Sequence, residues 1–134
     1  VSPREEAFVG EVRRRGAYDT AGEAERAARV VLALLGAHLV GDVRARLAAR
    51  LPGDLALVLL NPLPASEPLG PDRFVRATAA WIPGATEQTA VWDIGAVLST
   101  AADAADDALL RDVLLQLPPG YDALFGRPDP AAVT

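Results

Sequence analysis

The stretch RLPGDLALVL, residues 50–59, is answered sixty-six residues later by QLPPGYDALF, residues 116–125. Each opens on a polar residue, places Leu-Pro next and closes on large apolar side chains. Proline lacks a backbone donor and crowds the preceding turn, yet it fits the first position of a helix, where the amide has no intrahelical partner anyway. Leu51-Pro52 and Leu117-Pro118 therefore read as corners, each ending one helix and launching a short final one. Both leucines are expected to be buried there, with Leu55, Val58 and Leu59, or Tyr121, Leu124 and Phe125, closing over a core.

Carried outward at the same offset, the match extends over most of the chain. Phe8 meets Phe74, Val9 meets Val75, Thr20 meets Thr86, Ala24 meets Ala90, Val31 meets Val97 and Leu32 meets Leu98. Between these identities the apolar character persists, as in Val43 with Leu109, Leu47 with Val113 and Leu59 with Phe125. Self-similarity at a fixed period is the mark of an internal repeat.

The punctuation within each copy is helical. Ser2-Pro3-Arg4-Glu5 has the form of a capping box with proline at the first helical position, predicting a helix from about residue 4 to 15. Thr20-Ala21-Gly22-Glu23 repeats that chemistry ahead of a long second helix, and Thr86 stands at the equivalent place. On the long helix Ala24, Ala27, Ala28, Val31, Leu32, Leu35 and Leu39 recur at three- and four-residue steps, the stripe of a helix buried along one side. Ala90, Ile94, Val97, Leu98, Ala101 and Ala105 supply the second stripe. A shorter third helix carries Val43, Leu47 and Leu51, matched by Leu109, Val113 and Leu117. The expected fold is all-α: two tandem pseudo-symmetric four-helix units, about eight helices. Residues 1–60 form the first repeat, 61–71 a proline-rich connector, 72–126 the second repeat and 127–134 a flexible tail.

Composition agrees with this reading. The 134 residues suffice for one compact body, and 27 alanines beside only 5% aromatics favour helices packed closely through small side chains. With no cysteine, disulfides, thiolate metal sites and cysteine nucleophiles are excluded. The longest apolar run, ALVLL at 56–60, is far too short to cross a bilayer, and VSPREEAF has no apolar signal region, so a cytoplasmic protein without membrane contact is expected. All 13 basic residues are arginine, which together with the alanine, glycine and proline content suggests a GC-rich coding genome.

The run GEAERAARVVLALL after a short Asp/Thr turn, followed by LAARLP, resembles the bacterial domain-of-unknown-function 2267 family. The resemblance spans Phe8 to Phe125 and is clearer in the first copy; the second departs from it at EQTAVWDIGAVL. It implies a predominantly helical, often doubled fold, and it carries no catalytic residue.

Chemistry is sparse. His38 is the only histidine, so triads and His-rich metal motifs lack their parts; late in the long helix, it reads as a partner for the helix's negative end or as a surface residue. Ser2, Ser66 and Ser99 have no nucleophile-elbow setting, and no glycine pattern resembles a phosphate loop. Asp103, Asp106, Asp107 and Asp112 gather around the start of the seventh helix, where Asp106 or Asp107 is a natural cap; the alternating ligands of a calcium loop are missing. No metal or cofactor site is expected.

Three features remain. Asp93 occupies the register held by Ala27 on the core-directed stripe, so its carboxylate needs a partner, for which Arg76 or Arg111 could serve, or partial exposure. Trp81 and Trp92 replace Arg15 and Arg26, putting large apolar rings on a face that is charged in the sister copy; they are expected to lie together, covered by the chain or by another molecule. Arg13, Arg14 and Arg15 form the only basic run, in a first half of net charge +1 against −6 for residues 62–134. The pI near 4.8 and the lack of interleaved aromatics speak against nucleic acid, leaving a weak Arg-rich contact as the third-ranked reading. The favoured expectation is a non-enzymatic interaction or regulatory module, its partner an unknown protein or a second copy. The alternative is a small-ligand binder or enzyme using a cleft between the copies, for which a pocket lined by Asp93, Trp92 and Arg76 would speak.

Overall fold

The structure is a computed structural model and describes residues 3–61 and 68–126. Ser2, expected to cap the first helix, the middle of the connector and the tail lie outside these residues. The described residues form eight helices and no strand: α1 (Pro3–Gly16), α2 (Ala21–Gly36), α3 (Gly41–Ala48), α4 (Gly53–Leu60), α5 (Pro71–Trp81), α6 (Glu87–Ala104), α7 (Asp107–Gln116) and α8 (Tyr121–Leu124). The all-α expectation and the count of eight hold.

Helix ends obey their side chains. In α1 Glu5 and Glu6 stand in the first turn and Arg13 to Arg15 in the last, each complementing the nearby pole of the helix dipole. Thr20 caps α2 by accepting from the Glu23 amide at 3.2 Å, but Glu23 does not return the bond, so only half of the expected box forms. At α6 the box is complete and built by threonines: Thr86 Oγ1 accepts from the Thr89 amide at 3.2 Å, while the Thr86 amide donates to Thr89 Oγ1 at 2.8 Å. Asp106 caps α7, accepting from the Leu109 amide at 2.7 Å. That bond, ahead of the nearby Arg50 and Arg46, holds its carboxyl below the usual aspartate range.

The two Leu-Pro corners bury their leucines as expected, Leu51 at 3% and Leu117 at 7% exposure. The short helices beyond the corners differ. Pro52 is itself the N-cap of α4, whereas Pro118 precedes Pro119 and then Gly120 at φ 102°, and α8 shrinks to a single turn. Gly120 is further constrained by Pro71, whose ring would lie 2.9 Å from a side chain there.

The long helices α2 and α6 pack on each other at the centre. Helix α1 lies against both, α5 lies against both, α3 touches α4 and α7, and α4 and α8 cover α2 and α6 respectively. Val31, Leu32, Leu35, Ile94, Val97 and Leu98 are fully enclosed in one continuous core, and Ala24, Ala28, Ala90 and Ala101 let the helices approach closely. At roughly 1.5–3 kcal/mol for each fully buried large aliphatic side chain, this interior dominates stability.

Polar bonds cross the same seam. Arg15 pairs with Asp103, Arg46 with Asp112 at 2.9 Å and Arg50 with Asp106 at 2.9 Å, while the Val40 amide donates to Gln116 Oε1 at 3.0 Å. The basic excess of the first half is thus set against the acidic excess of the second.

His38 is buried, contrary to the surface reading. Its Nδ1 lies 2.8 Å from the Leu34 carbonyl near the end of α2, and its Nε2 accepts from the Leu69 amide at 2.9 Å. The pair of bonds defines a neutral ring protonated on Nδ1. Phe74 and Tyr121 meet it at ring-centroid distances of 5.5 and 6.2 Å, and the Tyr121 hydroxyl donates to the Leu69 carbonyl at 2.7 Å. Both backbone groups of Leu69, just ahead of α5, are therefore clamped.

Candidate functional site

The turn from α1 into α2 positions the site. Helix α1 ends with two bonds running backwards, from the Ala17 amide to the Arg14 carbonyl at 3.3 Å and from the Tyr18 amide to the Arg13 carbonyl at 3.0 Å, the pairing of a Schellman motif. That motif needs a left-handed residue after the helix, usually glycine; here Ala17 takes it at φ 53°. Glycine stands one position earlier, at Gly16, because the Tyr18 ring folds over it: a side chain on Gly16 would come within 2.2 Å of the ring. Tyr18 is thereby aimed across the seam at α6.

There its hydroxyl donates to Asp93 Oδ1 at 2.5 Å. Asp93 is 8% exposed, and Oδ2 has no hydrogen-bond partner among the described residues. Burial pushes the carboxyl above the usual aspartate range, opposed by the Tyr18 bond, and burial followed by that bond holds the Tyr18 phenol firmly protonated. Neither arginine expected as partner reaches Asp93. Arg76 lies near Glu87 at 3.7 Å, and Arg111 stands on α7 beside Leu115 and Pro118. The partner comes instead from the other half of the chain, across 75 residues, and could not be read from the register of the second half alone.

Around this pair lies a cavity of about 260 Å³ lined by Tyr18, Glu23, Arg26, Ala27, Ile82, Pro83 and Asp93. It draws on both halves, as the cleft reading required, but Trp92 and Arg76 face other hollows. The sequence reading missed Tyr18, Glu23 and Arg26. The available signal was Tyr18 itself, the only tyrosine of the first half, set two residues after a glycine.

Trp92, next to Asp93 on α6, points outward. Its indole nitrogen donates to the Gly16 carbonyl at 2.8 Å, yet the side chain remains 59% exposed; Trp81 is 57% exposed. Of the two covers expected, the chain itself therefore supplies neither ring with one: a single hydrogen bond fixes the edge of the Trp92 ring, and no described element covers its face. Among the described residues no ring contact joins the two tryptophans; the aromatic contacts link His38, Phe74 and Tyr121. Val91, also exposed, and Gly95, Ala96, Ser99, Gln88 and Arg15 complete a shallow apolar depression around Trp92.

The basic run is engaged within the chain. Arg13 donates to the Tyr18 and Asp19 carbonyls, the latter at 2.6 Å, Arg14 pairs with Glu11, and Arg15 reaches Asp103. Arg46 and Arg50 are directed to α7.

The eight described helices, with α2 and α6 packed together at the centre, define an all-helical protein. The chain belongs to the family described as "Uncharacterized conserved protein (DUF2267)", whose model matches residues 5–124. Among curated proteins nothing matches it. None of its described helices is long and apolar enough to cross a membrane.

Proposed function

We propose that this chain is a bacterial, cytoplasmic protein-interaction module without a catalytic role, built from two copies of one helical unit and presenting the outer face of α6 to a partner protein. Trp92 carries the reading. An indole whose N–H is already bonded inside the chain offers only apolar surface to a partner, and it is held in one orientation before binding, which lowers the entropy lost on association. Exposed Val91 beside it and the hollow at Gly95 and Ser99 supply the rim and the recess. The net charge of −6 in residues 62–134 favours a partner with basic residues around its apolar anchor.

Duplication is supported by the pattern of contacts. Helices α2 and α6 meet, as do α3 and α7, each pair occupying matching places in the two copies, while α1 reaches α6 and α5 reaches α2. Arg46 and its partner Asp112 are 66 residues apart, and Arg50 with Asp106 is answered by Gln116 with Val40. A twofold relation produces this reciprocity.

The test uses a photoreactive residue at Gln88, inside the depression, and a control at Arg4 on α1, in extract from the source cells. One partner should cross-link at Gln88 in defined stoichiometry, and Trp92→Ala or Val91→Asp should abolish it. Equal labelling from Arg4, or labelling at Gln88 unaffected by Trp92→Ala, would reject the surface.

A further inference from the structure

The cavity at the crossing of the two halves neighbours the Trp92 depression but is lined by a different set of residues and has its own chemistry. At its base Asp93 is more than nine-tenths buried and leaves Oδ2 without a hydrogen bond among the described residues, although the residue lines an open space of about 260 Å³. A carboxylate withdrawn from bulk water is costly unless its lone pairs meet donors, and Oδ2, which is not sealed from solvent, can meet a donor brought in from outside the chain. The only neighbour bonded to it among the described residues, the Tyr18 hydroxyl, serves one oxygen.

We infer that this cavity binds a small molecule through a primary ammonium group, seated between Asp93, Tyr18 and Glu23. An ammonium has three donors and a positive charge. Three residues with acceptor oxygens line the cavity: Asp93, Glu23, which is exposed, and Tyr18, whose hydroxyl keeps its lone pairs while giving its proton to Asp93. A metal ion fits the site poorly, since no group of three or more acidic or histidine side chains among the described residues could hold one. Ala27, Ile82 and Pro83 wall the space with apolar surface suited to a short carbon chain. Arg26 lines the same cavity with no ion-pair or hydrogen-bond partner among the described residues, so it stands ready for an anionic group on the same ligand. The ammonium is common to simple amines and to amino acids; Arg26 distinguishes them.

Two further features point to a built site. Ala17 accepts a left-handed backbone and Gly16 gives up its side-chain space so that Tyr18 can reach Asp93. Burial raises the Asp93 carboxyl above its ordinary range, so at neutral pH its charge opposes folding and stability does not account for its presence.

Calorimetric titration of the intact chain with ethylamine, alanine and propionate tests the assignment, with the two tryptophan indole N–H resonances as a second readout, since Trp92 adjoins Asp93. Ethylamine and alanine should bind and shift one indole signal, and propionate should do neither. Asp93→Asn should weaken both by about tenfold or more. If that variant misfolds by circular dichroism, Glu23→Gln, at the exposed mouth, should weaken both in its place. Alanine binding more tightly than ethylamine, with the advantage lost in Arg26→Gln, would identify an amino-acid site; equal binding would identify an amine site. Propionate binding as well as ethylamine, absence of binding by both ammonium compounds, or unchanged affinity in folded Asp93→Asn would overturn the inference.

Discussion

Ala17 holds a backbone conformation that glycine would hold at lower cost, and the glycine is one residue away. A left-handed alanine costs roughly 1–2 kcal/mol, partly offset by the greater freedom glycine has when unfolded. Ala17→Gly should therefore raise the unfolding midpoint slightly, by at most about 1 kcal/mol, in a denaturant titration; a loss would mean that the turn is not left-handed at this position. Asp93 makes a prediction with a sign. Its folded pKa is raised, so its contribution is fully present below about pH 4, the ordinary aspartate value, and is lost as pH rises through the folded value. Asp93→Asn, measured against wild type at each pH, should match it in acid and exceed it at neutral pH. At this scale the sequence is half legible. The substitution of Asp93 for Ala27 on an apolar stripe shows that a donor is needed, but the donor lies on the opposite half, in a turn whose geometry depends on a Tyr18–Gly16 contact that no periodicity reveals. Trp81 and Trp92 stand out as replacing charge, yet hydrophobicity alone does not say whether a ring is covered.

Among the helices, the corners carry the most weight for their length. Leu51 and Leu117 are both enclosed, and Leu51→Ala or Leu117→Ala should cost roughly 2–5 kcal/mol through lost burial and the cavity left behind. A cost below about half a kilocalorie at either site, against that range, would show that the corner does not anchor its short helix. These elements are legible because proline chemistry and three- and four-residue spacing act locally. The late start of α8 is less so: it follows a left-handed Gly120 set close to Pro71, a contact made only when α5 is in place. His38 is hidden from a sequence reading for a similar reason. Its place at the end of the long helical stripe suggests surface, but Leu69 and the rings of Phe74 and Tyr121 close over it.

For the molecule as a whole, the uneven charge of the two halves resolves into pairing across the seam. Ion pairs at this exposure are individually worth about 0–1 kcal/mol and are weakened by salt, so the apolar contact between α2 and α6 must do most of the joining. The clamp on Leu69 adds a fastening of another kind. The residue where the second half begins is tied to His38 of the first half by its own backbone, independently of the peptide bonds that precede it. The continuity of the chain at 62–67 should therefore be dispensable for assembly. Two polypeptides, 1–61 and 68–134, produced from separate genes in one cell, should copurify as a helical heterodimer, and His38→Ala should weaken their union more than it weakens the intact chain. Such a divided form would be a reassembling pair, each piece reporting on the presence of the other.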